Sequence, residues 1–312
     1  MSLIKLNEII TGDKILTLCD YIIITPDSYN FHKNILNYVN PNNLIVINDF
    51  TNIEIVKKIN YFFLNTNKNH IKLFIYNYIV DDFIKYILDY LDKSLSFTIY
   101  LHNGDTTFGN NDLHKKLILN PLIKNIYAQN LNYPEDNSKL KLLPIGIANS
   151  MWGHGDLSIL YDIILKNNIK NKNIYINLTL STYKYREQVY NYLIKYNIKL
   201  NNKKSFNCYL EELSEYRFCL CVRGNGIDTH RFYECLYLKV IPVIINNSNT
   251  DMNNFIHYLN KLNLPFIEIK DELLDTIINK YFLTNFFNED TYNKIMNNYP
   301  NYMEKIKLDF YK

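Results

Sequence analysis

Short runs dense in Ile, Val, Phe and Tyr alternate with amphipathic stretches along the first half of the chain. Residues 21–25, 44–48, 71–76 and 96–101 read as buried strands. Residues 53–63 and 81–91 carry helical spacing, and in the second Phe83, Ile87, Leu88 and Leu91 fall on one side. Apolar pieces at 126–128 and 142–147 complete five or six strand candidates. The second half repeats the plan, with helix 157–166, strand 173–178, helix 183–196 and a short helix at 210–216. Strand 218–222, a glycine loop, helix 229–238 and strand 240–245 follow, then strand 266–269, helix 272–281 and a helical stretch over 290–307. Strands alternating with helices predict mostly parallel sheets covered on both faces. Because the plan runs twice, the expected fold class is α/β, with two Rossmann-like doubly wound domains facing a cleft. The division falls in the Gly/Trp loop, giving domains 1–150 and 151–312, and ligands are expected at the carboxyl ends of the strands.

Composition sharpens this picture at one place. A chain of 312 residues fits two domains. Of its 34 Lys+Arg only four are arginine, and three of those, Arg217, Arg223 and Arg231, fall within fifteen residues. A solvated charge can be either type, but a planar fork gripping a phosphate or carboxylate must be Arg. Apart from Gly12, the glycines form three groups: Gly104 with Gly109, Gly146 with Gly153 and Gly155, and Gly224 with Gly226. Each group predicts a loop of special shape, or a plain turn. Asn- and Lys-rich runs follow the overall composition and read as loop filler.

Several function classes drop out. A net charge of +3 with no basic stripe argues against nucleic acid as a partner. The five cysteines, Cys19, Cys208, Cys219, Cys221 and Cys235, include no CxxC pair, so they read as small buried hydrophobes without a metal. The start lacks a signal-peptide pattern and no apolar run is long enough for a transmembrane segment, so a soluble, cytoplasmic protein is expected.

Strand 218–222 leads into Arg223-Gly224-Asn225-Gly226, and a helix opens near Asp228 or Thr229, either of which can cap it. Unpaired N–H groups and the helix dipole there make an anion site. Arg231 and Glu234 share a helix face at i, i+3 spacing. One cation for a diphosphate and one carboxylate for vicinal hydroxyls would hold a nucleotide; a buried ion pair is the structural alternative. The spacing is neither a P-loop nor the dinucleotide fingerprint.

Residues 218–243 read Phe-Cys-Leu-Cys-Val-Arg-Gly-Asn-Gly-Ile-Asp-Thr-His-Arg-Phe-Tyr-Glu-Cys-Leu-Tyr-Leu-Lys-Val-Ile-Pro-Val. This segment resembles the carboxy-terminal signature of exostosin-like glycosyltransferases: Phe-x-Leu-x-Pro-Arg-Gly, then Ser/Thr-x-Arg-Phe-x-Glu-Ala-Leu, then Gly-Cys-Ile-Pro-Val. Val222 stands for the family proline, Cys235 for alanine, and Lys239-Val240 for Gly-Cys. The resemblance implies a GT-B fold and a nucleotide-sugar donor, such as a UDP- or GDP-sugar, held mainly by the second domain. It also implies inverting, metal-independent transfer to a glycan or glycoprotein hydroxyl, with residues 1–150 on the acceptor side. The donor-binding set is then Arg223, Gly224, Asn225, Gly226, Thr229, Arg231 and Glu234, with Arg186 joining them or serving as a solvated helix residue.

Such a transfer needs a base for the acceptor hydroxyl and a stabiliser for the leaving diphosphate. Two clusters offer the base. His102 and Asp105 end a strong strand in His102-Asn103-Gly104-Asp105, which is also a plain turn. His154 and Asp156 follow Trp152 at the domain junction, where they can equally pack as a hinge. A non-catalytic nucleotide- or glycan-binding protein on the same fold is the alternative.

Overall fold

The computed structural model describes residues 4–32, 34–66, 68–270 and 274–312. The chain forms two compact units, each with its own all-parallel sheet. One comprises Ile10–Ile145, Asn149–Met151 and Tyr311–Lys312; the other comprises Trp152–Phe310, Gly146–Ala148 and the described residues up to Ile9. The architecture is α/β, consistent with doubly wound domains of the GT-B kind.

The sheet of the first unit contains β1 (Tyr21–Ile24), β2 (Leu44–Val46), β3 (His70–Tyr76), β4 (Ser96–His102), β5 (Ile123–Ala128) and β6 (Leu140–Leu142). Their order is β2-β1-β3-β4-β5-β6. In β4 every residue from Phe97 to His102 is buried, as a central strand covered on both faces requires. The order reverses at β1, so β1 and β3 flank a topological switch point, where open α/β sheets place ligands. Its helices are α1 (Gly12–Leu16), α2 (Pro26–Phe31), α3 (Ile53–Leu64), α4 (Val80–Tyr86) and α5 (Asp112–Leu119). Thr11, Thr25, Asn52 and Asn111 cap α1, α2, α3 and α5 by accepting first-turn N–H groups. Two expectations shorten: α4 gives way to a tight turn at Leu88–Tyr90, and β6 stops at Leu142 before a buried irregular segment.

The second unit carries β7 (Lys172–Tyr175), β8 (Tyr216–Leu220), β9 (Ile241–Asn246) and β10 (Ile267–Lys270), in the order β10-β9-β8-β7. Around it lie α6 (Leu157–Lys166), α7 (Lys184–Lys195), α8 (Phe206–Ser214), α9 (His230–Tyr237) and α10 (Thr250–Leu262). Beyond β10 come α11 (Leu274–Ile277), α12 (Glu289–Asn298) and α13 (Tyr302–Lys305); the expected helix 272–281 begins outside the described residues. Alternation along β8 decides what each face meets. Phe218, Leu220 and Val222 pack with Val189 and Leu193 of α7 and with Phe287, in one apolar cluster. Cys219 and Cys221 point the other way, toward Cys235 of α9. Among the described residues no helix is long and apolar enough to cross a membrane.

Candidate functional site

The loop from β8 to α9 leaves the carboxyl edge of a parallel sheet. Thr229 occupies the N-cap position of α9 but makes no side-chain cap bond. The buried Asp228 carboxylate sits just before it: Oδ1 accepts from Thr229 N at 2.9 Å and Oδ2 from the Tyr233 hydroxyl at 3.0 Å. The positive end of α9 therefore lies beside a buried carboxylate, and the Thr229 hydroxyl takes no part in capping it.

Arginines frame that loop in different ways. The Arg223 guanidinium lies 4.4 Å over the ring of Tyr183, and its Nη2 is 3.5 Å from Asn225 O. Its buried Nε has no hydrogen-bond partner. Arg186, in the first turn of α7, donates from Nε to Arg223 O at 2.8 Å, from Nη1 to Thr179 O at 3.1 Å and from Nη2 to Val222 O at 2.7 Å. It thus braces the segments that follow β7 and β8. Burial, then the charge of Arg231, pushes its pKa down to about 10. Space does not demand glycine at 224, since a Cβ there would lie 3.4 Å from Arg186 Nη2, an ordinary contact. Nor does positive φ, because among the described glycines only Gly109 and Gly146 adopt it. Gly226 is buried and Asn225 exposed.

Arg231 donates from Nη1 to Asn177 O and sits 5.5 Å over the ring of Tyr209. The hydroxyl of Tyr209 donates to Glu234 Oε2 at 2.7 Å. Tyr209 thus joins the Arg231 cation to the Glu234 carboxylate, a third party that the i, i+3 spacing does not reveal. Glu234 is 5% exposed, and burial pushes its pKa up against the pull of Tyr209 and Arg231. On the same side of the sheet the Sγ atoms of Cys219, Cys221 and Cys235 lie within 4.8 Å of one another.

The four base candidates find distinct surroundings. His102 is 2% exposed, with Nε2 3.1 Å from Pro144 O and Nδ1 3.0 Å from Asn103 Oδ1; burial pushes its pKa down. Asp105 is exposed. Asp156 caps α6: Oδ1 accepts from Ser158 N at 2.9 Å and from Ser158 Oγ at 2.6 Å, which holds its pKa down. His154 is exposed and stacks on Trp152 with centroids 6.3 Å apart. Its ring also meets Phe206 and His230 edge-on, at 6.4 and 6.2 Å. His230 is the first residue of α9, so the fold brings His154 beside the arginine loop.

The chain matches no protein-family model and no curated protein. What it offers at the switch point of the first unit is a polar network that its sequence does not announce. Asp13 Oδ1 lies 2.6 Å from His32 Nε2, and His32 Nδ1 lies 2.5 Å from the Tyr76 hydroxyl. Asp13 Oδ2 also accepts from Ser150 N and Oγ, both at 2.8 Å. Burial opposes ionisation of Asp13, but the His32 and Ser150 hydrogen bonds prevail and hold its pKa below the usual value. Where β3 and β4 end, Asn77 Oδ1 and Asn103 Nδ2 are buried without a partner. Glycine at 12 makes this packing feasible, since a Cβ there would meet Asn103 Oδ1 at 1.8 Å. Asp13, His32, Tyr76 and Ser150 are scattered along the chain with no motif spacing, so no sequence signal marks them.

Proposed function

We propose that the protein binds a nucleotide-sugar at the β8–α9 loop and transfers the sugar to a glycan or glycoprotein hydroxyl. The observation that carries this reading is the Arg223 fork, its buried Nε without a hydrogen-bond partner, in the loop that leaves the carboxyl edge of a parallel sheet and opens α9. In the reaction, the acceptor hydroxyl attacks the anomeric carbon and yields its proton to a base while the nucleoside diphosphate departs. Arg223 and Arg231 stabilise the departing charge. Glu234 receives the ribose hydroxyls. A groove lined by Asn177, Thr179, Tyr190, Ile194, Lys199 and Lys203 offers the nucleoside a place beyond β7. His154, whose ring meets that of His230 in α9, is one base candidate, and Asp105 is the exposed candidate of the first unit. The resemblance of residues 218–243 to exostosin-like glycosyltransferases supports the same reading.

A non-catalytic binder on the same fold is the second reading. It is favoured by the commitment of two base candidates, His102 and Asp156, to structural hydrogen bonds. The test is calorimetry and thermal shift with UDP-, GDP- and CMP-sugars, then donor turnover with mixed acceptors. A donor at a hundred times its Kd should stabilise the fold by about 2.7 kcal/mol. Absence of binding to every donor sinks both readings of the loop, whereas binding without turnover selects the second.

A further inference from the structure

We propose that Cys219, Cys221 and Cys235 form a trigonal thiolate site for a soft monovalent metal ion of the copper(I) type. This inference is independent of the sugar-transfer reading. Cys219 of β8, Cys221 just past the end of that strand and Cys235 of α9 supply the three sulfurs, all buried. The Sγ atoms are within 4.8 Å of one another, and Cys221 Sγ is 3.9 Å from Cys235 Sγ. Three thiolates around an ion at ~2.3 Å in a plane place their sulfurs ~4.0 Å apart. The site therefore needs only small side-chain shifts to close on an ion.

Ligand number and charge select the ion. Soft thiolate sulfur favours copper(I), zinc and iron–sulfur clusters. Zinc completes a tetrahedron, but among the described residues no fourth His, Cys, Asp or Glu joins the three. Their exposures, 0%, 4% and 0%, also leave no room for a coordinated water. A three-coordinate monovalent ion fits these limits. Binding converts three thiols and one M⁺ into a tris-thiolate complex of charge −2, with release of three protons. Two basic side chains lie close enough to offset part of that charge. Arg231 acts on Cys219 and Cys221, and Lys170, whose Nζ donates to Ser214 O and to Leu238 O at 2.7 Å, interacts with Cys235.

The decisive experiment is anaerobic titration of the reduced full chain with copper(I) against bicinchoninate. One equivalent should be retained, with a thiolate-to-copper charge-transfer band and three sulfur scatterers at ~2.3 Å by X-ray absorption. Cys235→Ser should weaken retention by about a hundredfold or more, whereas Cys208→Ser, on an exposed thiol elsewhere, should not change it. The absorption spectrum of the wild-type protein decides the matter even if the Cys235 variant folds poorly. Loss of all copper to the competitor would overturn the assignment. So would a bound ion with fewer than three sulfur neighbours, or equal retention by the Cys219→Ser/Cys221→Ser/Cys235→Ser variant.

Discussion

At the residue scale the arrangement around Tyr209 turns one question into a measurable contrast. If Arg231 grips a diphosphate, Arg231→Lys keeps the charge and loses the planar fork. A charge-assisted bond contributes about 1.5–3 kcal/mol, so donor affinity should fall roughly ten- to a hundredfold. Glu234→Gln should weaken the nucleoside and leave inorganic diphosphate binding nearly unchanged. Tyr209→Phe isolates the structural part, because it removes the hydroxyl that donates to a carboxylate only 5% exposed. That change should cost about 1–3 kcal/mol of stability. A large fall in melting temperature for Arg231→Lys and Glu234→Gln, with nucleotide affinity intact, would instead make the pair purely structural. The rarity of arginine makes Arg223 and Arg231 legible in the sequence. Tyr209 is one of 28 tyrosines and carries no such mark.

Elements were legible where burial dictates composition. The central strands β3, β4, β8 and β9 have near-continuous apolar runs because both faces are covered, and all four were expected. Helix α10 was not. Its approach, Asn246-Asn247-Ser248-Asn249, has the composition of loop filler, yet Asn249 caps the helix and Met252, Phe255, Ile256 and Leu259 bury one face. The same ambiguity of short polar residues applies at Asp156, where a cap and a catalytic base look alike in sequence. Two substitutions separate them. Asparagine caps as well as aspartate, so Asp156→Asn should leave both melting temperature and turnover unchanged if the carboxylate only caps α6. Asp156→Ala should then cost about 0.5–2 kcal/mol with turnover at saturating donor preserved. A fall in turnover for Asp156→Asn at unchanged stability would restore the base.

At the scale of the whole molecule, each unit draws on distant stretches of chain. Ile9 bridges Lys307 in one, and the Tyr100 hydroxyl donates to Tyr311 O at 2.7 Å in the other. A linear reading that divides the chain in two captures both sheets but not these returns, because pairing across long separations leaves no local period. Asp13 shows what such a return contributes. It connects α1 to His32 just past α2, through His32 to Tyr76 at the end of β3, and directly to Ser150. Its carboxylate is 1% exposed and holds a pKa below that of a free aspartate. Since the folded value lies below the unfolded one, the stabilisation is present in full above about pH 4 and is lost as pH falls through the folded value. Asp13→Asn turns the charge-assisted hydrogen bonds from His32 and Ser150 into neutral ones, so it should destabilise the first unit by about 1–3 kcal/mol at pH 7. The gap from wild type should narrow on acidification, because wild-type Asp13 itself becomes neutral there. Urea unfolding of both proteins at pH 7 and pH 3, followed by Tyr fluorescence, measures the two differences. A gap that stays constant across that range would mean that the ionised carboxylate contributes nothing to holding His32, Tyr76 and Ser150 together.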